Sequence, residues 1–295
     1  MTGGYVHPEF LVSSGWLADH LGDPEVRILD VTAKLASDLQ NRARSACYDV
    51  GHIPGSFAFD VPSGRGVLSN PDSTLPWMWP SPEQFVSVMR EYGIGPRTKV
   101  VVAARTPRPG IDSGTMWCTR AWWTMHHMGV DCAVLYGGLE QWEAEGRPLV
   151  TDVPVAPDPA PFVVAGDWER GRATCADVLA ATTSPTCIVD ALGEESFDGS
   201  GPKYGPRAGH IAGAINVPFS SLIRSETATF VDADTMRERL TEAGLFDQPS
   251  VITYCGGAIA ATVDAFCLAL CGYTPVSVYD GSLMEWSADP DLPMA

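Results

Sequence analysis

Cys255 stands where the apolar run Val251–Tyr254 meets a pair of glycines, within SVITYCGGAIAATVDAFCLALCGY (Ser250–Tyr273). The β-branched run predicts a buried strand, and AIAATVDAFCLALCG after it predicts an apolar helix that stops at Gly272. Cys255, Gly256 and Gly257 then form the turn. Glycines permit unusual dihedrals there, so the backbone N–H groups of Gly256, Gly257, Ala258, Ile259, Ala260 and Ala261 can converge on one point. The helix N-terminus adds partial positive charge. Both effects favour thiolate over thiol and would stabilise a persulfide anion equally well, so the chemistry expected is nucleophilic. A cysteine phosphatase also uses a cysteine at such a turn, but it clamps phosphate with an arginine six residues on. Ala261 stands there.

The remaining residues offer less. Cys267 and Cys271 lie four apart on the predicted helix and read as small core residues. Cys47, Cys118, Cys132, Cys175 and Cys187 sit in or beside apolar segments, and no CxxC pair is present. His126 and His127 are adjacent, a poor spacing for metal ligands. No metal and no organic cofactor is expected. Eight cysteines, with no basic-then-apolar leader in MTGGYVHPEFLVSSGWLADHLGD, imply reduced thiols and a cytoplasmic location. No window approaches about 18 uninterrupted apolar residues, so no membrane partner is expected. A net charge of −17 argues against nucleic acid as the main partner, yet leaves room for a small anion at a local basic cluster.

Four blocks recur in the same order and position the cysteine. VRILDV (Val26–Val31) matches CIVDA (Cys187–Ala191), and GHIPGSFAFDVP (Gly51–Pro62) matches GHIAGAINVPF (Gly209–Phe219). KVVVAAR (Lys99–Arg105) matches SVITYCG (Ser250–Gly256), and VLYGGLEQW (Val134–Trp142) matches SVYDGSLMEW (Ser277–Trp286). This is a duplicated domain. Within each copy, short β-branched runs alternate with helical patterns, the helix at PSPEQFVSVMREYGI being capped by Ser81 with proline next. The fold class is therefore α/β, two duplicated domains, each a mostly parallel sheet flanked by helices. The first copy spans residues 1–150, an extended proline-rich linker residues 151–161, and the second copy residues 162–295. In such sheets ligands sit beyond the carboxyl ends of the strands, where Cys255 falls.

GHIAGAINVP, YCGGAIAA and VYDGSLMEWSADPDLP together resemble the tandem-domain rhodaneses, the thiosulfate and 3-mercaptopyruvate sulfurtransferases, over essentially the whole chain. The resemblance implies two rhodanese-like domains, with the catalytic cysteine in the second at the cleft between them. Residue by residue that cysteine is Cys255. Its first-copy counterpart is Ala104, so the first half is expected to be silent. The implied reaction takes a sulfur from a small anionic donor, through a Cys255 persulfide, to cyanide or a thiol. The thiol belongs to a small molecule or a thioredoxin-like protein.

The loop departs from the family pattern. Gly256 and Gly257 stand where basic residues or a serine are usual, and Ala260 where threonine is. Asp198 stands where an arginine is common, and Trp77 where a histidine is expected. The loop can therefore hold sulfur only with its backbone, and recognition must come from elsewhere. Arg207, two residues before the Gly-His-Ile block, is a candidate for donor binding. So are Arg105 and Arg108 in the longer first-copy loop Arg105–Gly114, where 33 positions separate Ala104 from Gly137 against 26 from Cys255 to Gly281. Trp77 is a candidate pocket wall that also fits a core role. His52 and His210 occur in both copies and are read as structural. Asp190 and Asp280 are placed to orient loops. The alternative function is a non-catalytic binding or regulatory protein that uses the cleft alone.

Overall fold

A computed structural model describes residues 4–110, 113–155, 158–224 and 226–295. Residues 111–112 of the first-copy loop and 156–157 of the proline-rich stretch lie outside the described residues. The first copy supplies strands β1 (Leu11–Val12), β2 (Val26–Asp30), β3 (Phe57–Ala58), β4 (Lys99–Ala103) and β5 (Cys132–Leu135). Its helices are α1 (Ser14–Asp19), α2 (Ala43–Ala46), α3 (Pro82–Glu91), α4 (Gly114–His127) and α5 (Gly138–Ala144). The second copy supplies β6 (Arg172–Ala173), β7 (Cys187–Asp190), β8 (Ile215–Asn216), two further two-residue strands β9 (Ile223–Arg224) and β10 (Thr229–Phe230), β11 (Val251–Tyr254) and β12 (Val276–Tyr279). Its helices are α6 (Cys175–Ala181), α7 (Glu194–Phe197), α8 (Ala233–Glu242), α9 (Ala261–Leu270) and α10 (Ser282–Trp286).

The five-stranded sheets run β1-β5-β4-β2-β3 and β6-β12-β11-β7-β8, with parallel pairing between neighbours. One order repeats the other strand for strand, which bears out the duplicated α/β fold. The central strands β4 and β11 are buried on both faces, so they read as continuous apolar runs rather than alternating ones. Helix α3 begins as its sequence predicts. The Ser81 backbone N–H donates to Gln84 Oε1 at 2.9 Å, Ser81 Oγ accepts the Gln84 N–H at 3.3 Å, and Pro82 occupies the first turn.

Two compact units result, one of residues 9–168 with 226–230, the other of 4–8, 169–224 and 231–295. The described residues of 162–168, which the sequence reading assigned to the second copy, pack in the first unit. Phe162 meets the Phe85 ring at 5.6 Å, and the Ala165 N–H donates to Met128 O at 3.1 Å. A core of Leu17, Ile28, Val101, Ala133, Leu139 and Trp142 closes one face of the first sheet. Among the described residues no helix is long and apolar enough to cross a membrane.

The repeat extends to single hydrogen bonds. Asp30 Oδ1 accepts the Thr32 N–H and Asp190 Oδ1 the Leu192 N–H, each at 2.9 Å. The N–H of Leu139 donates to Ala104 O at 3.1 Å, and that of Leu283 to Cys255 O at 3.0 Å. His52 exchanges backbone bonds with Val150 as His210 does with Ala295.

Candidate active site

Strand β11 lies between β7 and β12, with Tyr254 in register with Asp190. The chain therefore delivers Cys255 to the carboxyl end of a central strand, where it is only 3% exposed. Helix α10 clamps it from one side. The Cys255 N–H donates to Ser282 Oγ at 3.2 Å, its carbonyl accepts Leu283 N–H at 3.0 Å, and Gly256 O accepts Met284 N–H at 3.0 Å. Ser282 holds φ +49° while its hydroxyl donates to Tyr279 O at 2.9 Å. The first copy has Gly138 at this place, at φ +56°, where a Cβ would stand 2.5 Å from Ala104 O. The recurring DGSLMEW block thus positions the backbone of the cysteine.

On the other side the loop winds inward. Ala258 adopts φ +61°, and α9 starts at Ala261 with no side-chain cap. The backbone N–H groups of Ala261, Gly257 and Ile259 favour the thiolate of Cys255 and pull its pKa down. These three belong to the six-residue cradle, 256–261, read from sequence. Thr253 Oγ1 and Thr262 Oγ1 donate to Ala261 O (2.9 Å) and Ile259 O (2.7 Å), bracing the loop without facing the sulfur.

The expected bias towards thiolate is offset. Burial is the larger effect and pushes the Cys255 thiol above its ordinary 9.0, with buried Asp190 adding to it. Burial likewise raises the Asp190 pKa from its ordinary 3.8, while the Leu192 amide and the Tyr254 side chain pull it down. Behind the loop, Asp264 on α9 is wholly buried, and neither carboxyl oxygen has a hydrogen-bond partner. Burial first, then Asp190, push its pKa well upward.

Tyr204 was not anticipated. A Cβ built on Gly256 would stand 2.6 Å from both Cγ and Cε1 of the Tyr204 ring, so the ring occupies the volume of the missing side chain. Gly256 and an aromatic residue before the Gly-His-Ile block are visible in the sequence, but nothing there says that they touch.

A family model for the rhodanese-like domain matches residues 13–145 and 174–289, one match in each copy. The chain belongs to the rhodanese family. It is 34% identical over 293 residues to the 3-mercaptopyruvate sulfurtransferase of Escherichia coli K12, covering 97% of each chain. It is 31% identical to the thiosulfate sulfurtransferase of Rattus norvegicus, over 94% of this chain and 91% of the relative. The crystal structure of SseA, a 3-mercaptopyruvate sulfotransferase from E. coli, superposes with a TM-score of 0.78 at 30% identity, covering 92% and 98% of the two chains. The protein is thus a tandem rhodanese-like sulfurtransferase.

The two rhodanese copies differ at their loops. In the first, Ala104 takes the cysteine position and three amides of its loop are already committed. The N–H of Arg105 donates to Thr32 Oγ1 at 3.0 Å, Thr106 to Glu140 Oε1 at 2.6 Å, and Gly114 to Thr106 Oγ1 at 3.3 Å.

The expected anion-binding residues are engaged elsewhere. Arg207 shares the unit of Cys255, but its guanidinium clamps the C-terminal segment. Nε donates to Ser287 O (3.0 Å), Nη1 to Leu292 O (2.8 Å), and Nη2 to Trp286 O (2.8 Å) and Asp289 O. Four of its five donors go to carbonyls of that segment. Arg105 is paired in the first unit with Glu143 (3.0 Å) and donates to Gly51 O (3.3 Å), while Arg108 Nη2 donates to Leu35 O at 3.2 Å. Trp77 is a core residue, 8% exposed, its indole donating to Pro62 O at 2.9 Å and its carbonyl accepting from Arg120. His52 and His210 are structural as read, each bonded through Nδ1 to a carbonyl (Tyr48 O, 2.9 Å; Phe197 O, 2.8 Å) and stacked on that residue's ring. A concavity of the second unit, about 640 Å³, lies around Thr186, Val251 and Val276, at the strand ends opposite Cys255. Among the described residues no group of three or more His, Cys, Asp or Glu is placed to hold a metal ion.

Proposed function

We propose that Cys255 is the nucleophile of this sulfurtransferase and that the second copy alone is catalytic. One observation carries the reading: a buried cysteine at the carboxyl end of β11, at the turn into an uncapped helix N-terminus, where the other copy has alanine. The thiolate attacks the sulfur of a small anionic donor. An S–S bond forms, the donor's bond to that sulfur breaks, and its electron pair leaves with the remainder. The amides of Gly257, Ile259 and Ala261 then hold the persulfide anion in place of the thiolate. An acceptor thiol or cyanide takes the outer sulfur and returns Cys255 as thiolate. A small-molecule thiol or a thioredoxin-like protein in a cytoplasmic setting is the acceptor we favour, in keeping with eight free cysteines.

The bare loop and the full-length similarity to a relative named 3-mercaptopyruvate sulfurtransferase favour an organic thiol donor over thiosulfate. The binding-only alternative is not favoured, because a cleft that merely binds needs no cysteine at this turn.

The test is intact-protein mass spectrometry with peptide mapping, after exposing reduced protein to each donor separately. One added sulfur atom on Cys255, removed by cyanide and absent from Cys255→Ser, is the expected result. Sulfur mapped to another cysteine, or retained by Cys255→Ser, would refute the assignment.

A further inference from the structure

Beside the sulfur site stands a phenol that is not committed to any backbone or side-chain partner among the described residues. Residues 256–261 are Gly, Gly, Ala, Ile, Ala and Ala, with no side-chain donor. The hydroxyls of Ser282, Thr253 and Thr262 donate to backbone carbonyls, and the Tyr254 hydroxyl accepts the Ile211 N–H at 3.0 Å. Tyr204 differs. Its ring is seated against Gly256, the neighbour of Cys255, in the space that a Cβ would fill. The phenol lies in the electrostatic field of both Cys255 and Asp190, and among the described residues its hydroxyl has no hydrogen-bond partner. Burial, then these two groups, raise its pKa, so it carries its proton at neutral pH.

Two donor classes make different demands on such a group. Thiosulfate loses its outer sulfur and leaves as sulfite, a stable anion that needs no proton. A β-mercapto-α-keto acid must break a carbon–sulfur bond, and the electron pair passes to carbon as an enolate that has to be protonated. The cradle amides serve sulfur only and can do nothing for that carbon.

We propose that Tyr204 is the hydrogen-bond donor and proton source for the enolate leaving group of a β-mercapto-α-keto acid. This rests on the assignment of Cys255 as the sulfur acceptor. In the step, Cys255 Sγ attacks the donor sulfur, the S–S bond forms and the C–S bond breaks. The phenolic proton goes to the former thiol-bearing carbon, giving the α-keto acid with a methyl group. The donor's own thiol proton passes to the phenolate, leaving the persulfide anionic. No oxidant or reductant is required. Tyr204 thus takes the part of the side-chain hydroxyl that the loop lacks, and Gly256 is glycine because the ring needs its place.

The test is Tyr204→Phe, which keeps the ring on Gly256 and removes only the hydroxyl. Single-turnover loading of Cys255 is followed by mass spectrometry with 3-mercaptopyruvate and with thiosulfate. The ratio of the 3-mercaptopyruvate rate to the thiosulfate rate is expected to fall about a hundredfold, the scale of one general acid. An unchanged ratio overturns the role of Tyr204 while leaving sulfur transfer intact. So does a wild-type protein that loads from thiosulfate but not from 3-mercaptopyruvate. Wild type that loads from neither donor overturns both this role and the assignment of Cys255.

Discussion

Gly256→Ala is the most discriminating change to the sulfur site that leaves every reactive atom in place. Gly256 does not occupy the left-handed region, so its backbone conformation is open to alanine and the cost is steric. The added methyl carbon would run into Cδ1 of the Tyr204 ring and stand 2.6 Å from Cγ and Cε1, where carbon atoms ordinarily rest about 3.5–4.0 Å apart. Something must yield by more than about 1 Å. If the half-buried ring swings out, it loses on the order of 100 Å² of burial, about 2.5 kcal/mol at 25 cal/mol per Å². If the loop yields instead, its amides leave the sulfur, and overpacking of this kind costs about 1–3 kcal/mol. The two routes together predict a loss of about 1–3 kcal/mol from the second unit. Urea denaturation should be followed both by fluorescence and by protection of Cys255 from a thiol reagent, since two units need not unfold together. In a Tyr204→Ala background the same substitution should cost under about 0.5 kcal/mol, because its obstacle is gone. Equal costs in the two backgrounds, or no cost in either, would refute the packing on which the bare loop is explained.

Three further outcomes follow from the buried groups. The Asp264 carboxyl has a folded-state pKa well above its ordinary 3.8, so the stability it costs is small below that value and grows as pH rises towards the folded pKa. Asp264→Leu should therefore exceed wild type in stability at pH 7 by on the order of 1–3 kcal/mol, with the gap narrowing towards pH 4; a gap independent of pH between these values excludes the carboxyl as its cause. Arg207→Ala frees the carbonyls of Trp286, Ser287, Asp289 and Leu292 and should cost about 2–4 kcal/mol in thermal or urea unfolding. Its donor KM should stay within about twofold, and a large rise in KM would restore Arg207 to the donor site. Because burial holds the Cys255 thiol above 9.0, single-turnover persulfide formation should climb about tenfold per pH unit from 7 towards 9. A plateau below pH 8 would mean that the amides outweigh burial.

Much of the fold was legible from residue order alone. Buried parallel strands must be apolar throughout, so VRILD, KVVVA, CAVL and VITY announce themselves, and a repeated order of such strands implies a repeated sheet order. Ser81, with Gln84 three residues on, marks a helix start because those atoms satisfy each other locally. The position of Cys255 was legible for the same reason: strand, glycine turn and helix are contiguous, so their junction is a local fact.

Arg207 shows where sequence reading fails. Its spacing from the Gly-His-Ile block suggested an anion site, but its donors meet carbonyls some 80 positions later, at Trp286 to Leu292. Arg105 and Arg108 lie in a loop that suggested reach, yet Glu143, Gly51 and Leu35 engage them. A guanidinium reads as available until its partners are known, and those partners are distant in the chain.

The sequence by itself determined the duplicated fold, the cysteine at the strand-to-helix turn of the second copy and the alanine at that place in the first, because each depends on neighbours in the chain. Only the tertiary structure decided the charge state and surroundings of that cysteine. Burial against Asp190 depends on contacts between residues 65 positions apart, and the Tyr204 ring on Gly256 on residues 52 apart. Desolvation and steric exclusion are properties of the packed interior, and no local pattern of residue types encodes them.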